Sequence, residues 1–403
     1  MTRPLEGLKV LDFTHVLAGP FGTRVLADMG ADVIKINSAS RAVGANEPVH
    51  PYYIMWNRNK RALALDMTNE HDRELCRRLC QQADVVIDNF SVGVLERWGV
   101  GYDEVVSDNP GVIYVQMSGM GEGGPWSGYV TYAPTIHALS GLTYLTGVPG
   151  REDIGIGYSY NDHQAGLHGA VAILAALEAR QHSGRGQHID ISQFEIGVNF
   201  AGPSVFDLFA NDRAADPVGY RLPYDEAAPH GCYPCRPSGE GITGECWIAI
   251  ACMDDDAWEA LKRVMGIPEW SERDAYTTVG GRLADIDEID RAIAEFTASE
   301  DAYELMVRCQ AAGVPAGVVQ DGHDLANNDP QLRHYDFLHR IDDDSSEFGQ
   351  TWADRLPLRF SRTPCNTYHR VRAVGEDNVS VLKDWLDMSE SEVRSLEDEG
   401  RLR

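Results

Sequence analysis

Short apolar runs alternate with amphipathic stretches through the first third of the chain. KVLDFT (9–14), DVIKIN (32–37), RALALDM (61–67), DVVIDNF (84–90) and VIYVQMSG (112–119) are rich in β-branched residues and bounded by turn residues, which predicts strands. Between them, Phe21, Val25, Leu26 and Met29 recur at helical spacing and Gly30 closes the run, with further helices predicted over 69–82 and near 92–98. Such alternation predicts an α/β fold, with a parallel sheet flanked by helices in a Rossmann-like large domain and a smaller α/β domain after it.

The tract from Tyr158 to Ser192 carries the next signal. Leu167, Val171, Leu174 and Leu177 recur at helical spacing, while Ala165, Ala170, Ala172, Ala175 and Ala176 keep the helix slim enough for close packing. The helix is predicted over 163–181, with Asp162 at its mouth, a stop at 183–186 and a strand at 188–192. A helix to about 211 completes a large domain of residues 1–211. A segment rich in Pro, Gly, Asp and Cys opens the second region, 212–329. There WIAIACM (247–253) and helices over 256–265, 286–298 and 300–312 predict the small α/β unit. Residues 330–403 are expected to return to the large domain.

Composition narrows the function. Sixty-two acidic against 35 basic residues give a net charge of -27, and five of the basic residues are lysine. That balance argues against nucleic-acid binding and resembles proteins from salt-accumulating cells, where a Debye length of about 3 Å at 1 M salt screens self-repulsion. No run approaches a membrane span and the N-terminus has no signal-like apolar region, so a cytoplasmic protein is expected. The eight cysteines are expected to be reduced thiols; Cys232-x-x-Cys235 lacks a second pair at zinc-site spacing, and no metal is expected.

Neither a GxSxG elbow nor a GxGxxG after the first strand is present, which weakens serine-hydrolase and dinucleotide-binding readings. A carboxylate nucleophile needs neither. With a reference pKa of about 3.9, Asp162 is ionised at neutral pH and can attack an activated acyl group without a general base. Residue type alone favours a helix cap for Asp162, because Asp is a preferred N-cap residue.

Longer segments shift that balance. GLKVLDFTHVLAGPFGTRVLADMGADVIKI (7–36), WNRNKRALALDM (56–67), ADVVIDNFSVGVLERWG (83–99), Tyr114 with Ser118-Gly119-Met120-Gly121, DHQAGLHGAVAILAALEARQHSGRGQ (162–187), AGVPAGVV (312–319) and GEDNVSVLKD (375–384) together resemble the class III CoA-transferase (CaiB/BaiF) family along nearly the whole chain. The resemblance implies that Asp162 attacks an acyl-CoA thioester to give a mixed anhydride. CoA thiolate then forms an enzyme thioester, and an acceptor carboxylate takes the CoA through a second anhydride. It places CoA against His15, Val16, Leu17, Ala18, Leu65, Asn89, Phe90, Arg97 and Tyr132, with Lys35, Arg41, Arg58, Lys60 and Arg61 as nearby cations. Oxyanion donors are expected around Val16–Ala18 and near Gly231.

The same resemblance implies acyl-CoA and a free carboxylic acid as substrates, no tightly bound cofactor and an interlocked homodimer. Its dicarboxylate-handling branch suggests succinyl-CoA and mesaconate, with Arg58 and Arg221 as anchors for a distal carboxylate and His230 lining the acyl pocket. The alternatives are a 2-methylacyl-CoA racemase, a benzylsuccinate-type transferase and a non-catalytic subunit of a heteromeric transferase. Racemases of the family carry a His where this chain has Tyr132, and its oxalate-using members have a glycine run where this chain reads RLPYDEAAPHGCYPC (221–235). His163 and His168, five apart, do not share a helix face and are assigned structural or substrate-proximal roles.

Overall fold

Parallel pairing on both sides of the first strand sets the architecture of the computed structural model, which describes residues 3–38, 51–152, 155–224, 226–237, 244–344 and 349–402. In chain order the elements begin with β1 (Lys9–Asp12), α1 (Ala18–Asp28), β2 (Asp32–Asn37), α2 (Pro51–Asn57), β3 (Arg61–Ala64), α3 (Glu70–Gln82), β4 (Val85–Asp88), α4 (Val94–Arg97), α5 (Tyr102–Asp108) and β5 (Ile113–Ser118). Then come α6 (Ala133–Leu139), α7 (Leu142–Leu145), α8 (Tyr160–Ser183), β6 (Gln187–Ser192), α9 (Gln193–Phe200) and α10 (Gly202–Asn211). The remainder is β7 (His230–Cys235), β8 (Cys246–Ala251), α11 (Asp255–Val264), α12 (Val279–Ala284), α13 (Ile286–Thr297), α14 (Ala302–Ala311), β9 (Ala316–Val318), α15 (Pro330–His334), β10 (Leu338–Asp342), β11 (Gln350–Asp354), α16 (Asn378–Leu386) and α17 (Glu390–Asp398).

Six strands form one parallel sheet in the order β3-β2-β1-β4-β5-β6, so the order reverses between β1 and β4. Both faces are covered, which is why these strands read as continuous apolar runs. Val10, Val33 and Val85 face Leu26, Ala165 and Ile173 on one side; Leu11, Ile34 and Val86 face Leu79, Val381 and Trp385 on the other. Strands β1 and β4 are shorter than predicted because side chains take over the ladder. The Thr14 N–H turns to Asp12 Oδ1 (2.8 Å) and the Phe90 N–H to Asp88 Oδ1 (2.9 Å), ending β1 and β4 at those aspartates.

The chain divides into two compact units. One comprises Met1–Leu142, Gly157–Pro203 and Asp336–Arg403; the other comprises Thr143–Ile156 and Ser204–Tyr335. The expected boundaries at 211 and 330 therefore move to 203 and 336, and residues 143–156 join the second unit. The single helix expected up to 211 breaks after Phe200 into α9 and α10, where Gly202 and Pro203 favour a new start. In the second unit, β7-β8-β9 form an antiparallel sheet, with Tyr233, Ile248 and Ile250 packed on Trp258, Leu261, Ile289 and Leu305.

Helix α8 buries a different face from the one its large residues suggest. Ala165, Gly166, Gly169, Ala170, Ile173 and Ala176 are buried, whereas Leu167 and Val171 are 40% and 65% exposed. The small face meets α1 at backbone distance: a Cβ at Gly22 would lie 2.7 Å from Gly166 O, and one at Gly166 would lie 2.5 Å from Ala18 O. Ala exceeds Gly in helix propensity by about 1 kcal/mol, so an isolated helix would gain from Gly166→Ala. The crossing reverses that sign: urea unfolding of Gly166→Ala should show a loss of about 1–3 kcal/mol, and an unchanged or higher midpoint would mean that the helices do not depend on this contact.

Candidate active site

Residues i and i+4 share a helix face, so the Gly166 contact with Ala18 directs Asp162, one turn earlier, over the loop that precedes α1. That loop leaves the carboxyl end of β1 at the point where the strand order reverses, the usual ligand crevice of an open parallel sheet. It is held by a reciprocal pair: the His15 N–H donates to Asn89 Oδ1 (2.7 Å) and Asn89 Nδ2 donates to His15 O (2.8 Å). Val16 follows at φ 65°, a left-handed conformation rare for a β-branched residue, and is 57% exposed. The N–H groups of Val16, Leu17 and Ala18 find no acceptor among the described residues, as the open end of a helix allows.

Asp162 is the third residue of α8 rather than its cap. The helix starts three residues earlier than the 163 or so predicted, because other groups satisfy its first N–H donors. Tyr160 N–H donates to Tyr158 O (2.7 Å) and Asn161 N–H to His137 Nε2 (3.1 Å). Burial lowers the pKa of His137, so its imidazole is the neutral acceptor this bond requires. Burial also raises the Asp162 carboxyl to about 6, with its own N–H opposing. Next to it, His163 Nδ1–H donates to Ser159 O (2.8 Å), its Nε2 accepts from the Tyr158 hydroxyl (3.0 Å), and its ring packs on Phe21, Trp56 and Tyr158. His168 is exposed and bonded to Gln164 O.

Asp162 lines a 260 Å³ cleft with His15, Val16, Leu17, Asn89, Phe90 and Tyr132, seven of the residues predicted for the site. Phe90 and His15, with ring centroids 5.1 Å apart, also line an adjoining 370 Å³ cleft that contains Leu65 with Phe13, Ile36, Val94 and Trp98. The two clefts thus share one wall. Ala18 is buried as the first residue of α1 and lies outside both linings; Arg97 is exposed at the end of α4 and lines neither. The first lining also includes Ser118, Gly119 and Gln193, to which residue-level reasoning gave no role; the signal was Ser118-Gly119 at the end of a predicted strand. Gly119 lets the backbone pass close to the Thr131 side chain, which would have to shift to admit a Cβ.

Several expected cations are already paired. Asp12, fully buried, accepts from Lys60 (3.0 Å), lies 3.5 Å from Lys35 and also accepts from the hydroxyls of Thr14 (2.6 Å) and Thr23 (2.7 Å). Burial alone would raise its pKa; the two lysines and two hydroxyls reverse that and hold it below the usual carboxylate range. Burial in turn draws Lys60 down to about 8. Lys35 donates to Thr14 O and Lys60 to Pro20 O (3.0 Å), so this network grips both ends of the loop. Arg58 is buried on Asp28 (2.8 Å) and Asp354 (2.6 Å), Arg61 is paired with Asp32 (2.5 Å) and Asp384 (2.8 Å), and in the second unit Arg221 is paired with Asp287 (2.5 Å). Arg58 and Arg221 are therefore not free anchors for a distal carboxylate. Arg41 lies outside the described residues.

The chain is similar along nearly its whole length to known proteins. The model of CoA-transferase family III matches residues 5–378. The alpha subunit of succinyl-CoA–L-malate CoA-transferase from Chloroflexus aurantiacus is 30% identical over 98% of this chain and 91% of its own length. Succinyl-CoA–D-citramalate CoA-transferase from the same species is 29% identical over 98% of this chain and 97% of its own. The crystal structure of a CaiB/BaiF family protein from Brucella suis superposes with a TM-score of 0.84 at 29% identity, covering 96% of this chain and all of that one.

The buried charge network offers a direct test of what holds the loop. Asp12→Asn leaves two buried lysines without their carboxylate and should cost about 3–5 kcal/mol in urea unfolding at pH 7. A loss below about 1 kcal/mol would show that the loop is held by other contacts.

Proposed function

This chain belongs to CoA-transferase family III, and we propose that it moves CoA from succinyl-CoA to a dicarboxylic acid, with mesaconate the favoured acceptor, through a mixed anhydride on Asp162. CoA thioesters are its substrates, and it needs no tightly bound cofactor. The observation that carries the proposal is the half-buried Asp162 carboxylate in a cleft that also contains Val16 and Leu17, whose N–H groups have no acceptor among the described residues. Asp162 attacks the thioester carbonyl carbon and the carbonyl electrons move to oxygen. When the C=O re-forms, the C–S bond breaks and CoA leaves as thiolate.

The thiolate then attacks the Asp162 carbonyl of the anhydride, which releases succinate and leaves an aspartyl-CoA thioester. The acceptor carboxylate displaces CoA to form a second anhydride. Attack of CoA on the acceptor's carbonyl gives acceptor-CoA and restores the Asp162 carboxylate. Each tetrahedral oxyanion sits where the open N-terminus of α1 can donate hydrogen bonds. The apolar second cleft suits the CoA body, with Leu65 and Phe90 as contact surface. Arg97, exposed and without an ion pair among the described residues, supplies a cation for phosphate. The relatives named for malate and citramalate support a four- or five-carbon dicarboxylate acceptor.

Succinyl-CoA mixed with mesaconate and enzyme should yield mesaconyl-CoA by mass spectrometry, and absence of that product would rule out this acceptor. Asp162→Ala should lower transfer on the order of 10⁴-fold, while transfer at the wild-type rate would remove Asp162 as nucleophile. Because the attacking form is the carboxylate and burial raises its pKa to about 6, kcat/KM should fall about tenfold per pH unit below that value.

We also propose a homodimer in which the partner's smaller unit completes the site. Large apolar side chains stand exposed on both units: Leu167 and Val171 on α8 of the first, Phe206 (73%) and Phe209 (81%) on α10 of the second. Light scattering at micromolar concentration should give twice the chain mass, and a monomer mass would refute the assembly.

A further inference from the structure

Ser118 ends β5 in the motif Ser118-Gly119-Met120-Gly121, and its chemistry is not used by the reaction described above. The residue is 5% exposed, and its hydroxyl has no hydrogen-bond partner among the described residues. A buried hydroxyl left unpaired costs about 1–3 kcal/mol, so a fold rarely retains one without a use. Neighbouring groups do not supply the missing bond. Ser192, opposite it in the β5–β6 ladder, uses its own hydroxyl to accept from the Glu195 N–H (3.2 Å). Gly119 brings the backbone against Thr131, and its carbonyl accepts from the Phe194 N–H (2.9 Å), which fixes the chain on both sides of Ser118. Ser118 lines the same 260 Å³ cleft as Asp162, Val16 and Leu17.

We infer that Ser118 is a catalytic residue: its hydroxyl donates a hydrogen bond to the acyl oxygen of the thioester as Asp162 attacks, facing that oxygen from β5 while the α1 end faces it from β1. The inference rests on the Asp162 reading. As the Asp162 oxygen bonds to the carbonyl carbon, the C=O electron pair becomes an oxyanion, and this is the acceptor the hydroxyl lacks among the described residues. On collapse the pair re-forms C=O, CoA leaves as thiolate, and the serine keeps its proton throughout. The bond is strongest when the oxygen is charged, so it acts on the transition state more than on substrate binding.

Steady-state kinetics and thermal melts of full-length Ser118→Ala and Ser118→Thr test this. Ser118→Ala should lower kcat about 10²–10³-fold with KM for the acyl-CoA within about threefold, and its Tm should equal or exceed the wild-type value, because the hydroxyl makes no bond among the described residues. Ser118→Thr keeps the hydroxyl and should retain kcat within about tenfold. An unchanged kcat in Ser118→Ala, or a raised KM with kcat unchanged, overturns the role, the second result meaning that the hydroxyl reads the CoA chain rather than the reacting oxygen. A lowered Tm in Ser118→Ala also overturns it and makes the hydroxyl structural. Asp162→Ala, measured in parallel, separates the two readings. If it abolishes transfer while Ser118→Ala does not slow it, only the serine assignment fails; if Asp162→Ala retains activity, the nucleophile assignment fails whatever Ser118 shows.

Discussion

The backbone contact between α1 and α8 is the constraint from which the site follows. Two glycines, Gly22 and Gly166, let the helices cross with no side chain between them. Helical periodicity then settles where the first turn of α8 must lie, since Asp162 is four residues before Gly166 and shares its face. A larger residue at either glycine would push α8 outward and carry Asp162 away from the N–H groups of Val16, Leu17 and Ala18. The position of one carboxylate is thus decided by two residues that have no side chains and sit a turn or more from it.

The loop beneath that carboxylate is fixed from the opposite direction by charge. Asp12, Lys35 and Lys60 are all buried, and together they bind Thr14 and Pro20, which flank the segment His15–Leu17. Asn89 closes the remaining side through both backbone groups of His15. These bonds make tolerable a left-handed φ at Val16, a conformation costing about 1–3 kcal/mol that persists where its surroundings over-determine it. The ion pairs around Arg24, Arg58, Asp28 and Asp354 extend the scaffold to β11, so the C-terminal segment also braces this face of the sheet.

Most of the sheet was legible because its strands are buried on both faces and therefore apolar at nearly every position. DVIKIN and the helix that follows RALALDM appear within a residue of where periodicity placed them. Strand ends were less legible: Asp12 and Asp88 read as strand residues, yet their carboxylates draw backbone N–H groups out of the ladder. The buried face of α8 was misleading for a different reason. Periodicity is weighted toward large residues, and here small ones face the core while Leu167 and Val171 face outward. Within the candidate site, Asp162, His15, Val16, Leu17, Asn89, Phe90 and Tyr132 line one cleft. The cations do not: a sequence shows that Lys35, Lys60 and Arg58 are positive but not that each already faces a buried aspartate.

The electrostatics of Asp162 also differ from what a carboxylate at a helix mouth suggests. An acid at a helix N-terminus is ordinarily stabilised in its charged form, which lowers the pKa. Here Tyr158 O and His137 occupy two of the first-turn donors, leaving Asp162 its own N–H, and burial outweighs that single bond. Burial, raising the carboxyl to about 6, makes it more basic than a solvated aspartate, and in the proposed attack it would carry less water to shed. In the proposed reaction, the donors that α8 withholds would be offered by α1 instead, where charge would develop on the substrate. The first turn of one helix is filled and the neighbouring one left open, so on the proposed mechanism stabilisation would be directed away from the ground state of Asp162 and toward the oxyanion formed on the substrate.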